Sequence, residues 1–173
     1  MAEIQRKGAK KKSQASIAWD AVLTGISYMI PFIVGGGVLE GIAKAMGGYN
    51  IAADMAAVGD YTLYTPAMVV YAIGAAIFDV SVPIIGAYIG WAMADKPGLA
   101  PGFAVGVISN TIKAGFLGAV LGGLIAGYIT IWLKGLSKKV PNDVSSVFPI
   151  LLMPVFSTAL TSLVMWYIVG VPI

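Results

Sequence analysis

Long apolar segments without a single charged residue recur along this chain of 173 residues. These charge-free segments are residues 21–39, 61–78, 80–94, 114–133 and 145–173. A helix needs about 20 apolar residues to cross a hydrocarbon core roughly 30 Å thick. The sequence therefore predicts an all-α integral membrane protein, a polytopic bundle of about five transmembrane helices.

The composition supports a membrane protein and limits the chemistry of the chain. Hydrophobic residues make up 58% of the chain and charged residues 11%, against roughly 25% charged residues in a soluble domain. The sequence contains no cysteine and no histidine, which excludes disulfides, thiolate nucleophiles, imidazole bases and the usual zinc ligands. We therefore predict no catalytic residue, no metal site and no cofactor in this chain.

Basic residues are concentrated in the first 18 residues, ahead of the first span. They are Arg6, Lys7, Lys10, Lys11 and Lys12. Nucleic-acid binding is one interpretation of such a cluster. A basic segment beside a span more often stays in the cytoplasm and contacts anionic headgroups. We therefore predict a cytoplasmic segment over residues 1–18, a transmembrane bundle over residues 19–173, and no nucleic-acid partner.

The segment 61–94 is too long for one crossing, since a single helix of this length would measure roughly 50 Å. Its one charge is Asp79. Pro83 suits the first turn of a helix because it has no backbone N–H to donate. We predict two short spans, 61–78 and 80–94, joined near Asp79.

Two Pro-Gly pairs in residues 95–102 predict a break in the helical pattern. Residues 103–112 are apolar but too few to span, which favours a short re-entrant or interfacial segment. Lys113 then opens the long span 114–133, and a last span is predicted over 147–169.

Lysines after residue 133 favour a cytoplasmic loop. They are Lys134, Lys138 and Lys139. Because the N-terminus is also predicted in the cytoplasm, an even number of crossings must separate it from these lysines. The four spans 21–39, 61–78, 80–94 and 114–133 satisfy this. The last span, interrupted by Pro149 and Pro154, then brings the C-terminus outside. No polar tail follows it, and we expect a truncated chain or half of a larger protein.

Small residues spaced four apart allow helices to approach closely in lipid. They are densest on the long span. The predicted packing residues there are Gly115, Gly118, Gly122, Gly123 and Gly127. A dimerisation face and ordinary packing inside one bundle are both open interpretations of this pattern.

Charged residues within a span are costly and indicate a functional site by default. Asp79 and Lys113 are the candidates, with Asn110 as a third polar residue that could bind substrate or satisfy irregular backbone. Both charges also fall near predicted helix ends, where a side chain can reach the interface. A location at a helix end is therefore the alternative hypothesis for each.

Five stretches of the chain together resemble the fructose-type membrane component, enzyme IIC, of the bacterial sugar phosphotransferase system. The stretches are residues 24–37 (TGISYMIPFIVGGG), 82–90 (VPIIGAYIG), 94–102 (ADKPGLAPG), 114–118 (AGFLG) with 126–128 (AGY), and 148–155 (FPILLMPV). The resemblance implies a permease in the bacterial inner membrane, which carries sugar while a IIB component phosphorylates it. It also implies a IIA partner, a homodimer formed by the first five helices, and a sugar-binding second half beyond Ile173.

Three hypotheses follow for the function of the chain. The first is the scaffold and dimerisation half of a fructose-type permease, with the sugar itself undetermined. The second is a small non-catalytic membrane protein, an assembly or regulatory partner derived from a transporter half. The third is a fragment of an unrelated secondary transporter or channel.

Overall fold

The computed structural model describes residues 13–137 and 152–170 as helices and the turns between them. The helices are α1 (Gln14–Gly47), α2 (Ile51–Val58), α3 (Pro66–Ala94), α4 (Lys96–Thr111), α5 (Gly115–Ser137) and α6 (Met153–Val164). A π-helical turn, Met165–Gly170, extends α6, and a short 3-10 turn, Tyr61–Leu63, precedes α3. Helices α1, α3 and α5 are long and apolar enough to cross a membrane. The all-α membrane bundle is confirmed.

Helices α1 and α3 form an antiparallel pair held by small residues. Gly25 in α1 lies against Ile85 and Ile89, near the end of α3, and Gly36 lies against the carbonyl of Gly74. Small residues at these positions allow the two backbones to approach closely. The first turn of α1 and the last turn of α3 therefore lie at the same end of the bundle.

The prediction of two short spans over 61–94 is wrong, because α3 is one helix of 29 residues. It begins at Pro66, where the hydroxyl of Thr65 accepts the backbone N–H of Met68. Pro83 lies inside the helix and does not end it. Proline is tolerated within membrane helices where neighbouring groups bond the freed backbone.

Helix α4 folds back along α3, and the break between them is a single residue, Asp95. Its φ of 54° lies in the left-handed region that favours glycine. Residues 96–102, where the sequence predicted a break, form the first half of α4, and Pro97 occupies its first turn. Residues 103–111 complete this helix, so they are not a separate segment. The break predicted over 95–102 is therefore confined to Asp95, and the rest of that stretch is helical.

Glycines on both helices make the α3–α4 contact a contact between backbones. Gly90 meets the carbonyl of Gly98, and Gly86 and Gly102 meet each other's carbonyl oxygens. A Cβ added to Gly106 would lie 2.6 Å from the Cα of Pro83. No side chain larger than hydrogen fits at these positions without moving one helix.

Helix α5 packs on α3 and α4, and α6 packs on α4 and α5. Gly123 of α5 faces Ile89, and Gly127 faces Met93, so α5 runs parallel to α3. Lys134 near the end of α5 pairs with Asp95 at 3.0 Å. The long helix α1 and helices α3, α4 and α5 thus run in alternating directions, and Lys134 lies at the same end of the bundle as the start of α1. We call this end, with Lys96 and Lys134, the lysine-rich end.

The last predicted span lies partly outside the described residues. Helix α6 begins at Met153, and Pro154 occupies its first turn instead of interrupting it. Pro149, Lys138, Lys139 and the basic residues 6–12 lie outside the described residues. Helix α1 begins at Gln14, inside the segment 1–18 that was predicted to precede the bundle.

Candidate functional site

Asp79 lies near the middle of α3, and its backbone carbonyl lacks the intrahelical N–H that normally donates to it. In a helix this carbonyl would accept the N–H of the residue four positions later. That residue is Pro83, which has no N–H. The predicted location of Asp79 at a helix end is therefore wrong. The carboxylate and the freed backbone carbonyl of Asp79 thus both lie far from either end of a long apolar helix.

Asn110 supplies the missing donor. Its side-chain Nδ2 donates to the carbonyl oxygen of Asp79 at 3.4 Å, across 31 residues of sequence. Asn110 is close to the C-terminal end of α4, which reaches Asp79 because α4 runs antiparallel to α3. The structure thus brings together two of the three residues predicted from the sequence.

The two residues border a cleft of about 450 Å³. We call it the polar cleft. Its lining residues are Phe78, Asp79, Ser81, Val82 and Asn110. Ser81 is buried, whereas Asp79 and Asn110 are exposed at the mouth. Sequence reasoning missed Ser81, although a serine two residues from an aspartate in an apolar segment was an available signal.

Lys113 lies in the turn between α4 and α5 and not in the cleft lining. Its φ is 59°, and its N–H donates to the carbonyl of Asn110 at 3.1 Å. The next N–H, of Ala114, donates to the carbonyl of Ser109 at 2.9 Å. This pair of hydrogen bonds is a Schellman motif, with lysine where glycine is usual. The backbone of Lys113 ends α4, and α5 begins two residues later.

The glycines of α5 differ in their surroundings. A Cβ on Gly122 would lie 3.0 Å from Val105, and one on Gly123 would lie 2.9 Å from Ile89. Gly118 meets the side chain of Ser109, and Gly127 meets Met93. Gly115 has no neighbour within 4 Å and adopts a positive φ of 55°. Four of these glycines thus contact other helices of the same chain, and a role in dimerisation stays a prediction.

The polar cleft offers hydrogen-bonding groups without a reactive nucleophile. A carboxylate accepts hydrogen bonds, an amide donates and accepts, and a hydroxyl does both. Within residues 13–137 and 152–170, no group of three or more acidic, histidine or cysteine residues could hold a metal ion. The arrangement can form hydrogen bonds with a polar ligand.

The chain matches the family model "Phosphotransferase system, EIIC" over residues 23–173. It is 35% identical over 171 residues to the "PTS system fructose-specific EIIC component" of Haloferax volcanii, covering 88% of this chain and 44% of that protein. It is 36% identical over 155 residues to the "Fructose-like permease IIC component 2" of Escherichia coli, covering 88% and 40%.

A third relative, the "PTS system fructose-specific EIIABC component" of Bacillus subtilis, is 32% identical over 169 residues. The match covers 95% of this chain and 26% of that protein. The chain thus spans less than half the length of the relatives it matches. No solved structure gives a significant match.

Proposed function

The chain belongs to the phosphotransferase system EIIC family, and from this premise we propose that it is half of a fructose-type sugar permease. The observation that carries the proposal is the agreement between the family match over residues 23–173 and the names of the relatives. The described helices agree with a membrane component. The remaining half of the permease completes the pathway for the sugar.

Phosphoryl transfer requires partner components. This chain has neither histidine nor cysteine to carry a phosphoryl group, and its relatives include proteins named EIIABC and EIIBC components. We propose that separate IIA and IIB components relay the phosphoryl group to the sugar during transport. A homodimer is part of the same proposal, with the bundle as its scaffold.

The polar cleft is the part of this chain that we assign to the sugar. Asp79 at its mouth is a carboxylate in the middle of an apolar helix, where an unpaired charge is costly. Hydroxyl groups of a passing sugar can donate to this carboxylate and accept from the amide of Asn110. The cleft is open on one side, which leaves room for contacts from the other half.

The orientation in the membrane follows from the charges at the lysine-rich end. Lys96 and Lys134 lie there together with the start of α1. The basic residues 6–12 precede that helix in the sequence, and Lys138 and Lys139 follow α5. Positive charges favour the cytoplasmic side. We place this end, and the N-terminus, on the cytoplasmic side of the bacterial inner membrane.

The test is reconstitution of transport from two halves. The chain is co-expressed with the second half of a relative, together with IIA and IIB, in cells that lack fructose uptake. Uptake of labelled fructose, recovered as its phosphate, is expected. A failure of well-folded halves to support uptake contradicts the permease assignment, and a stable self-dimer without transport then favours an assembly protein.

Asp79→Asn tests the polar cleft separately. A hydrogen bond to a charged group contributes about 1.5–3 kcal/mol, which corresponds to a loss of roughly ten-fold or more in uptake. Asp54→Asn in α2 makes the same chemical change at an exposed position outside the cleft. Equal uptake by the two variants overturns the role of the cleft and leaves the permease assignment intact.

A further inference from the structure

A second cavity, of about 500 Å³, opens near the lysine-rich end between α1, α3 and α4. We call it the aromatic cavity. Its lining residues are Tyr28, Tyr88, Trp91, Lys96 and Leu99. Neither the family match nor the polar cleft accounts for it, since it shares no residue with that cleft.

The three aromatic rings of the cavity form one cluster. The rings of Tyr28 and Tyr88 stack with centroids 3.9 Å apart and an angle of 4° between their planes. Trp91 meets both rings edge-on, at centroid distances of 6.3 and 6.0 Å. These contacts order the side chains while Tyr28 and Trp91 stay 44% and 38% exposed. The cluster is therefore a preformed wall with an open face.

The position of Lys96 places the cavity at the boundary between apolar and aqueous regions. Lys96 begins α4 and follows Asp95, whose carboxylate pairs with Lys134 at 3.0 Å. The apolar part of α5 ends at this ion pair. Trp91 lies about one turn inside the boundary on α3, and Leu99 lies about one turn inside on α4. Tyrosine and tryptophan favour this depth because their rings combine an apolar body with a polar atom.

Lys96 is the cation of this cavity. It is exposed, and among the residues that the structure describes no carboxylate lies within ion-pair distance of its ammonium group. An anion at this position would thus meet a positive charge that is not already neutralised. Leu99, beside it, is 42% exposed and presents an apolar surface toward the hydrocarbon region.

We propose that the aromatic cavity binds the phosphate-bearing headgroup of an anionic phospholipid. The ammonium group of Lys96 pairs with the lipid phosphate at the boundary. The aromatic wall contacts the glycerol region below it, and Leu99 contacts the first acyl carbons. Basic pockets between helices on the cytoplasmic side are known to suit anionic headgroups. The proposal uses the orientation proposed above and does not depend on transport.

A soluble phosphate compound is the competing ligand, because it would also pair with Lys96. The order of groups favours the lipid, since the cation lies at the boundary while aromatic and aliphatic surfaces continue toward the hydrocarbon. Leu99 would make no favourable apolar contact with a small hydrated anion. The two ligands are separated by the experiment below.

Trp91 can serve as the reporter of lipid binding. Trp19, Trp132 and Trp166 are all exposed, so replacing them with phenylalanine leaves Trp91 as the single tryptophan without disturbing the core. The protein is reconstituted in phosphatidylcholine bilayers that contain either brominated phosphatidylglycerol or brominated phosphatidylcholine at equal mole fraction. Bromine quenches tryptophan only at contact, so the ratio of quenching reports the relative affinity at the cavity.

The quenching ratio is expected to show an affinity about five-fold higher for phosphatidylglycerol than for phosphatidylcholine. This is the size of effect expected from the attraction of one lysine to an anionic lipid. Lys96→Gln is expected to bring the ratio close to one, and Lys96→Arg to keep it. Lys44→Gln is the matched control, because Lys44 also lies beside an aromatic ring, 5.5 Å from that of Tyr71, at the opposite end of α1. It should leave the preference unchanged.

Three results would overturn the proposal. The first is equal quenching by both lipids, and the second is a preference that survives Lys96→Gln. The third is loss of the preference when inorganic phosphate or a sugar phosphate is added at constant ionic strength, which would assign the cavity to a soluble anion. A size-exclusion profile identical to that of the parent protein shows that each variant is folded.

Discussion

Replacement of Gly86 by alanine tests whether backbone contact holds α3 and α4 together. The new Cβ would lie 2.5 Å from the carbonyl oxygen of Gly102. Carbon–oxygen contacts begin at roughly 3.3 Å, so one helix would have to move by about 0.8 Å. A gap of 0.5–1 Å forfeits about a quarter to a half of the dispersion energy of the atoms that separate.

The size of the effect follows from two opposing contributions. Overpacking costs about 1–3 kcal/mol, while alanine in a helix recovers roughly 0.5–1 kcal/mol relative to glycine. Gly86→Ala should therefore lower the free energy of unfolding by about 1–2 kcal/mol. Gly37→Ala is the control, because nothing lies within 4 Å of its added Cβ. It should raise the free energy of unfolding by up to about 1 kcal/mol.

The measurement is reversible unfolding by dodecyl sulfate in mixed micelles, followed by the helical circular dichroism signal. Both variants carry the same chemical change in a membrane helix. The two should therefore differ by about 2 kcal/mol, with opposite signs relative to the parent protein. Equal shifts for Gly86→Ala and Gly37→Ala would refute the reasoning that close backbone contact determines the α3–α4 hairpin.

Two further predictions use the same unfolding assay. Asn110→Ala should cost about 0.6 kcal/mol in the parent protein and close to nothing in a Pro83→Ala background, where residue 83 can donate to the carbonyl of Asp79. An identical cost in both backgrounds would contradict the assignment of Asn110 to that carbonyl. Lys113→Gly should stabilise the protein by about 1 kcal/mol, because lysine occupies a left-handed position at a φ of 59°. Lys113→Val should destabilise it, and the reverse order would show that the Schellman motif does not set this turn.

The sequence predicted the long apolar helices well because length and hydropathy alone determine them. Residues 21–39 lie within α1, and all of the predicted span 114–133 except Ala114 lies within α5. It failed at Pro83, where the outcome depends on a donor far along the chain. Asn110 bonds the carbonyl that proline frees, and no local pattern shows that the two residues meet.

The prediction for residues 95–102 failed for a related reason. Two Pro-Gly pairs resemble turns, yet here Gly98 and Gly102 are needed so that α4 can touch the backbone of α3. A tertiary contact thus overrides local propensity. The two errors compensate each other: one predicted span disappears into α3 and α4 adds one helix, so Lys134 still lies at the same end of the bundle as the start of α1.

The candidate site was predicted in part. Asp79 and Asn110 were named because they are polar residues in apolar surroundings, but their proximity was not foreseen. Lys113 was named by the same rule, and its backbone conformation accounts for its position at the end of α4. Composition identifies unusual residues within a span, whereas only the antiparallel arrangement of α3 and α4 shows which of them share a cleft.

The brevity of α4 has a consequence for the biogenesis of the protein. At 16 residues it is about 24 Å long, and it contains two prolines and three glycines, so it is a poor substrate for the translocon by itself. We expect it to partition from the translocon only as the second arm of a hairpin whose first arm is α3. Synthesis of α4 would then have to finish before α3 is released into lipid.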